Sequence, residues 1–377
     1  MKIRNISLYS LSAPLHTPFK TALRTVNALH DSVVVLQCDN GIVGFGSAPA
    51  TLAITQQDHR HIANDIHKLL KPLLIGQTLE QFDTIIRQVN QHPEAGSNAK
   101  AAIDVALYDA FAQLNQMPLY QLLSPAQQPS KTIHTTLMTD YTISVNSPEQ
   151  MQKHVDEAIS RGYRCLKVKV GKEPKDDIDS ITQLYHHIRR SCTEEIAIRI
   201  DANQGWSTDS AISIMQTLET NGMTFELLEQ PVKANDITGM ATIKAAINTP
   251  LMADESAFNL SQVKQLHRCE AADIINIKLI KTGGLFGALS IIEYCRQHDI
   301  TCMIGCMLES SIGVAAASHL AAANADVIKL IDLDGPTLAK FDPIKGATVF
   351  DNANIQLNTT AGLGISPNQS FDPWRAE

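Results

Sequence analysis

The order of apolar and polar positions divides the chain into two unlike parts. Period-two alternation over residues 2–12 and 32–38 predicts strands, and Asp39-Asn40-Gly41 predicts a tight turn into a third strand over 42–46. Apolar residues then recur at helical spacing over 58–74, 79–88 and the alanine-rich 98–114. Strands followed by helices predict an α+β domain over residues 1–130.

From about Ile133 the pattern becomes a strict alternation of β and α units, which requires parallel strands joined by crossover helices. Strands are predicted at 142–145, 165–170, 197–201, 225–228, 251–253, 274–277, 302–304 and 327–331, with helices between them such as 148–160 and 285–298. Eight strands with seven intervening helices fit a modified (β/α) TIM-type barrel over 131–340, with a doubly wound sheet as the second choice. The tail, 341–377, contains no further βα unit and is expected to pack back on the first domain, which then caps the barrel.

Composition narrows the class. With 377 residues, 44% hydrophobic and 19% charged, the chain can bury a large core, and no stretch approaches the ~20 apolar residues that span a bilayer. No secretory signal is visible near Met1, so a cytoplasmic protein is expected. Seven cysteines (Cys38, Cys165, Cys192, Cys269, Cys295, Cys302, Cys306) lack the spacing of a disulfide framework or zinc site and are read as reduced, mostly buried thiols. A formal charge of −8 argues against nucleic acid as a partner.

In a barrel, chemistry sits where polar residues terminate apolar strands. Asp201, Glu229 and Asp254 do so at intervals of about one βα unit. Each alone suits a helix N-cap; three in succession, with no His or Cys among them, suit a hard cation such as Mg²⁺. Asn203, two residues after Asp201, could orient a ligand or simply make a turn. Lys167 and Lys169 share one face of a strand whose outer face helices should cover, so both are expected to point into the barrel. Their mutual repulsion is expected to lower at least one pKa, leaving Lys169 able to act as a base. Lys278 ends a later strand and would face Lys169 across the barrel mouth, the geometry of two-base proton transfer beside a carboxylate.

Together, Lys167-Val168-Lys169, Asp201-Ala202-Asn203, Glu229-Gln230-Pro231, Asp254-Glu255-Ser256 and the run from Lys278 to Gly284 resemble the enolase superfamily, specifically its muconate-lactonising subgroup. The resemblance covers essentially the whole chain. It implies metal ligation by Asp201, Glu229 and Asp254, proton transfer by Lys169 and Lys278, and carboxylate stabilisation by Lys167. Asp332-Leu333-Asp334 adds a likeness to dipeptide epimerases of the L-Ala-D/L-Glu type, in which this pair binds the dipeptide's free ammonium group. The segment 17–25 resembles their capping loop, with Arg24 placed to meet a substrate carboxylate. Thr142, Ile54 and Met307 match pocket positions, and Glu309 is an acid that would favour a different substrate side chain. The implied activity is epimerisation at the α-carbon of a dipeptide's C-terminal residue. Epimerases of hydrophobic or cationic dipeptides are alternatives. So are a cycloisomerase and an o-succinylbenzoate synthase, against which Asp332 and Asp334 argue. The expected partner is a small-molecule dipeptide rather than membrane or nucleic acid, and a homo-oligomer is compatible with the pattern.

Overall fold

The structure is a computed structural model that describes residues 1–20, 25–125, 133–171 and 173–374. Strands Ile3–Lys20, Thr25–Cys38 and Val43–Pro49 form an antiparallel meander. The first strand outruns the alternation that predicts it because its buried positions switch phase, from Ile6 and Leu8 to Leu11, Ala13 and Leu15. Helix Ser97–Leu114 lies on this sheet at short range. Gly44 and Gly46 permit the approach: a Cβ at either position would stand 2.1 and 1.9 Å from the carbonyl oxygens of Ala106 and Ala102. Alanine on the helix and glycine on the strand are thus two halves of one packing solution.

The second part is an eight-stranded parallel sheet whose members pair in chain order: Tyr141–Ile143, Cys165–Lys169, Ala197–Asp201, Leu227–Glu229, Leu251–Ala253, Ile274–Ile277, Thr301–Gly305 and Ile328–Asp332. A doubly wound sheet would reverse its strand order, and this one does not. Between the first and eighth strands side chains replace a backbone ladder: Leu333 N–H donates to Thr139 Oγ1 (2.8 Å) and Thr142 N–H to Asp334 Oδ2 (2.7 Å).

Inside, Leu227, Met252, Ile274, Met303 and Leu330 form a separate apolar cluster. Each precedes by two residues a polar or small position at or next to the end of its strand (Glu229, Asp254, Asn276, Gly305, Asp332), so the strand period sets a plug beneath a polar layer. Burying each such side chain contributes roughly 1.5–3 kcal/mol.

The tail touches both parts. Its hairpin, Thr348–Asp351 with Asn354–Leu357, pairs with Thr136–Met138 just before the first barrel strand, and Asp372–Pro373 pairs with the first strand of the chain at Tyr9 and Ser10. All seven cysteines are free; Cys38, Cys295 and Cys302 are buried, Cys269 is exposed and the others are half-buried, so fewer are buried than composition suggests. Among the described residues no helix is long and apolar enough to cross a membrane.

Candidate active site

The polar layer opens into a cavity of about 740 Å³, counting space open to solvent, at the C-terminal ends of the strands. The barrel supplies Thr142, Lys167, Lys169, Asn203, Asp254, Glu255, Lys278, Asp332 and Asp334, and the first domain covers it with Phe19, Ala53 and Ile54. Met307 and Leu308, after the seventh strand, line the same space.

Asp201 and Glu229 are partners in register at the ends of the third and fourth strands, and Asp254 directly follows the fifth. Each leans on a lysine. Lys169 Nζ donates to Asp201 Oδ2 (2.6 Å) and Asn203 Oδ1 (3.0 Å), Lys278 Nζ donates to Asp254 Oδ2 (2.8 Å), and Lys167 Nζ stands 3.7 Å from Glu229 Oε2 while donating to Asp332 Oδ2. Gly305 makes room for Lys278, because a Cβ there would meet Lys278 Cε at 2.9 Å.

The electrostatics follow from burial and pairing. Burial opposes charge on Lys167, but Asp332 and Glu229 outweigh it and hold its pKa well above the ordinary lysine value. Lys278 is raised likewise, with Asp254 and Glu229 outweighing burial. Repulsion from Lys169 therefore does not depress Lys167: Lys167 faces Asp332 while Lys169 faces Asp201. Burial, then the charges of Asp201 and Asp254, push Glu229 up to about 7. Burial raises Asp254 too, but Lys278 and Lys281 overcome it and draw its pKa far down.

Among the described residues, no three His, Cys, Asp or Glu side chains close around one cation position, since the acids turn to lysines instead. Their chemistry nevertheless suits a cation. All three are oxygen donors on adjacent strand ends, and among the described residues none donates a hydrogen bond to the buried Glu229 Oε2, a state that a cation relieves.

Three residues escape the alternation argument. Glu255 lines the cavity although it neighbours Asp254, because the strand ends at Ala253 and the chain turns; burial and then Asp254 push its pKa up to about 8. Lys281 donates to Asp254 Oδ1 (2.5 Å), Asp254 O (2.6 Å) and Asn276 O (2.8 Å). Its signal was its i,i+3 spacing from Lys278 across the short helix Leu279–Thr282. Gln230, held at φ +33°, accepts from the N–H groups of Asp254 (3.0 Å) and Ser256 (3.1 Å) and so fixes the neighbouring strand end. Asn203, at φ +44°, is of a residue type that tolerates this left-handed backbone.

Of the other expected site residues, Ile54, Thr142 and Met307 line the cavity, and Arg24 lies outside the described residues. Glu309 does not line it. Its Oε1 accepts Met307 N–H (2.8 Å) and its other oxygen packs towards Gly313, because the chain doubles back after the seventh strand. Burial, with Asp31 nearby, pushes its pKa up to about 8.

The chain matches two family models in succession: the mandelate racemase / muconate lactonizing enzyme N-terminal domain over residues 4–124 and the enolase C-terminal domain-like family over 150–371. The chain belongs to the enolase superfamily. It is 42% identical over 365 residues to the L-Ala-D/L-Glu epimerase of Clostridium acetobutylicum, covering 97% of this chain and 99% of the relative. Among solved structures of this superfamily, a substrate-liganded complex of the L-Ala-D/L-Glu epimerase from Bacillus subtilis superposes with a TM-score of 0.90 at 39% identity, covering 97% of this chain and 99% of that one. The dipeptide epimerase of Enterococcus faecalis V583, complexed with Mg and L-Leu-L-Tyr, superposes with a TM-score of 0.89 at 34% identity, covering 97% of this chain and 100% of that one.

Proposed function

We propose that this protein is a Mg²⁺-dependent dipeptide epimerase that inverts the α-carbon of the C-terminal residue, with L-Ala-D/L-Glu as the preferred substrate class. The observation that carries this reading is that one cavity joins lysines from opposed strands, the second and the sixth, with an acid pair on the eighth. Asp201, Glu229 and Asp254 would hold the cation. Bound there, Mg²⁺ supplies positive charge to the substrate carboxylate oxygens, where negative charge builds as the α-proton leaves.

Lys169 and Lys278 then act from opposite faces, one as neutral amine taking the proton and the other as ammonium returning one. Asp201 and Asp254 each hold one lysine ammonium in an ion pair, so engaging these acids elsewhere releases the lysines toward the substrate. Lys167, held positive among carboxylates, stabilises the developing enediolate. Asp332 and Asp334 receive the dipeptide's ammonium group, which selects an unblocked N-terminus. Arg24 would pair with a substrate side-chain carboxylate.

A second reading, an epimerase of hydrophobic dipeptides, is favoured by the apolar cover of Phe19, Ala53, Ile54, Leu308 and Leu338. Incubation with Mg²⁺ and a panel of dipeptides in D₂O separates the two. Deuterium entering the α-carbon of L-Ala-L-Glu with formation of the L,D isomer supports the first; exchange confined to Leu- or Tyr-containing dipeptides supports the second. Absence of exchange in every dipeptide sinks both.

A further inference from the structure

Beneath Asp332 lies a carboxyl group that proton transfer does not use. Asp140 is 1% exposed and immediately precedes the first barrel strand, two residues before Thr142 and therefore on the same inward face. Arg199 Nη1 donates to Asp140 Oδ2 (2.6 Å) and to Ile331 O (2.9 Å), and Arg199 Nε donates to Glu226 Oε2 (2.5 Å). Lys167 clamps Asp332 from the other side. A buried row results: Glu226, Arg199, Asp140, Asp332, Lys167.

Two carboxyl groups are neighbours in this row with no cation between them. They lie within hydrogen-bonding reach of each other, and among the described residues no N–H or O–H points at the buried Asp140 Oδ1. Two ionised carboxylates so placed would repel in a dry interior, whereas one shared proton turns the repulsion into a hydrogen bond and leaves the row, with its two cations, electrically neutral.

We propose that Asp140 is a positioning residue: a carboxylic acid that keeps its proton and donates it to Asp332, holding that carboxylate ionised and aimed at the substrate ammonium group. The role assigned to Asp332 rests on the epimerase reading above. The groups facing Asp140 are Asp332 and Asp334 at the eighth strand, Lys167 and Cys165 on the second, Tyr163 before it and Arg199 on the third. Burial and Asp332 raise Asp140 well above the ordinary aspartate value despite Arg199. Burial also raises Asp332, but Lys167 and Lys278 outweigh it and bring it to about 2, so the proton belongs on Asp140.

The alternative is an ionised Asp140 that only pairs with Arg199. The full-length wild type, Asp140→Leu and Asp140→Asn decide between them. Leucine removes the donor and should raise KM for the dipeptide about tenfold or more with a smaller effect on kcat. Asparagine restores a neutral N–H donor towards Asp332 and an acceptor for Arg199, and should recover most of that loss. Infrared difference spectra of substrate-free protein at pH 7.5 should show a protonated carboxylic acid band in the wild type that is missing from Asp140→Asn. No such band, or an asparagine variant as impaired in KM as the leucine one, overturns the proposal. The infrared measurement needs neither substrate nor a folded leucine variant, so a wild type that epimerises no dipeptide defeats the functional reading without touching the proton assignment.

Discussion

Lys169 and Asp201 are register partners at the ends of adjacent barrel strands, and Lys169 Nζ donates to Asp201 Oδ2 at 2.6 Å. On the far side of the sheet Lys278, just past the sixth strand, likewise donates to Asp254, just past the fifth, at 2.8 Å. The symmetry predicts that the two lysines serve opposite substrate isomers. Replacing either by alanine should lower epimerisation by roughly 10²–10⁴-fold, the usual range for a positioned acid or base. Each variant should still exchange the α-proton of one isomer, and mass spectrometry in D₂O starting from L,L and L,D dipeptides reads this directly. A variant that exchanges both isomers at the wild-type rate would remove that lysine from the mechanism.

Asp334 accepts Thr142 N–H at 2.7 Å and lines the cavity, so it is held rather than free to swing. Asp334→Ala should raise KM for a free dipeptide by roughly tenfold or more, in line with losing a hydrogen bond to a charged group. The same change should barely alter the already poor use of an N-acetylated dipeptide, which has no ammonium group. Equal losses on both substrates would mean that Asp334 supports the fold rather than the ammonium.

The close approach of helix Ser97–Leu114 to the first sheet is set by atoms that cannot move aside. A Cβ at position 46 would stand 1.9 Å from a backbone oxygen, not from a flexible side chain. Gly46→Ala should therefore destabilise the protein by ~2 kcal/mol or more, measured by urea unfolding. A cost near zero would show that the helix can slide away from the sheet.

What the chain spells out locally is what regular geometry converts into direction. Lys167, Lys169, Asp201 and Glu229 sit on strands, where period two fixes which way each points; the two lysines line the cavity, and the two acids stand in register beside them at the strand ends. Residues beyond a strand end escape that rule. Glu255 enters the cavity and Glu309 leaves it because the chain turns there, and a turn reorients side chains by an amount that alternation does not encode. Asp140 precedes its strand, and its meaning depends on Arg199 and Asp332, 59 and 192 positions away. The pairing of lysines with acids was likewise invisible: adjacent lysines suggest repulsion until the carboxylates between them have been placed.

Asp104 gives a test of stability that avoids the active site. It reaches from helix Ser97–Leu114 to the start of helix Leu285–Gln297, where its carboxyl accepts the N–H groups of Leu285 (2.6 Å) and Phe286 (3.3 Å) and the amide of Asn90 (2.8 Å). Gly284, at φ +113°, leaves the space, since a Cβ there would stand 2.3 Å from Asp104 Oδ1. Burial still pushes the Asp104 carboxyl up to about 7 against these donors. An aspartate in the unfolded chain titrates near 4, so between roughly pH 4 and 7 the folded protein keeps a proton that the unfolded chain has lost. Stability from this group is full below that window and falls as pH rises through it, by at most ~1.4 kcal/mol per pH unit. His319 works in the opposite sense, burial having lowered it to about 3, so the variant must be compared with the wild type at each pH. Asp104→Asn cannot ionise, and its stability relative to wild type should improve steadily from pH 4.5 to 7.5 in urea unfolding. A constant difference across that range would show that Asp104 is ionised throughout, with the helix N-terminus and its N–H donors prevailing over burial.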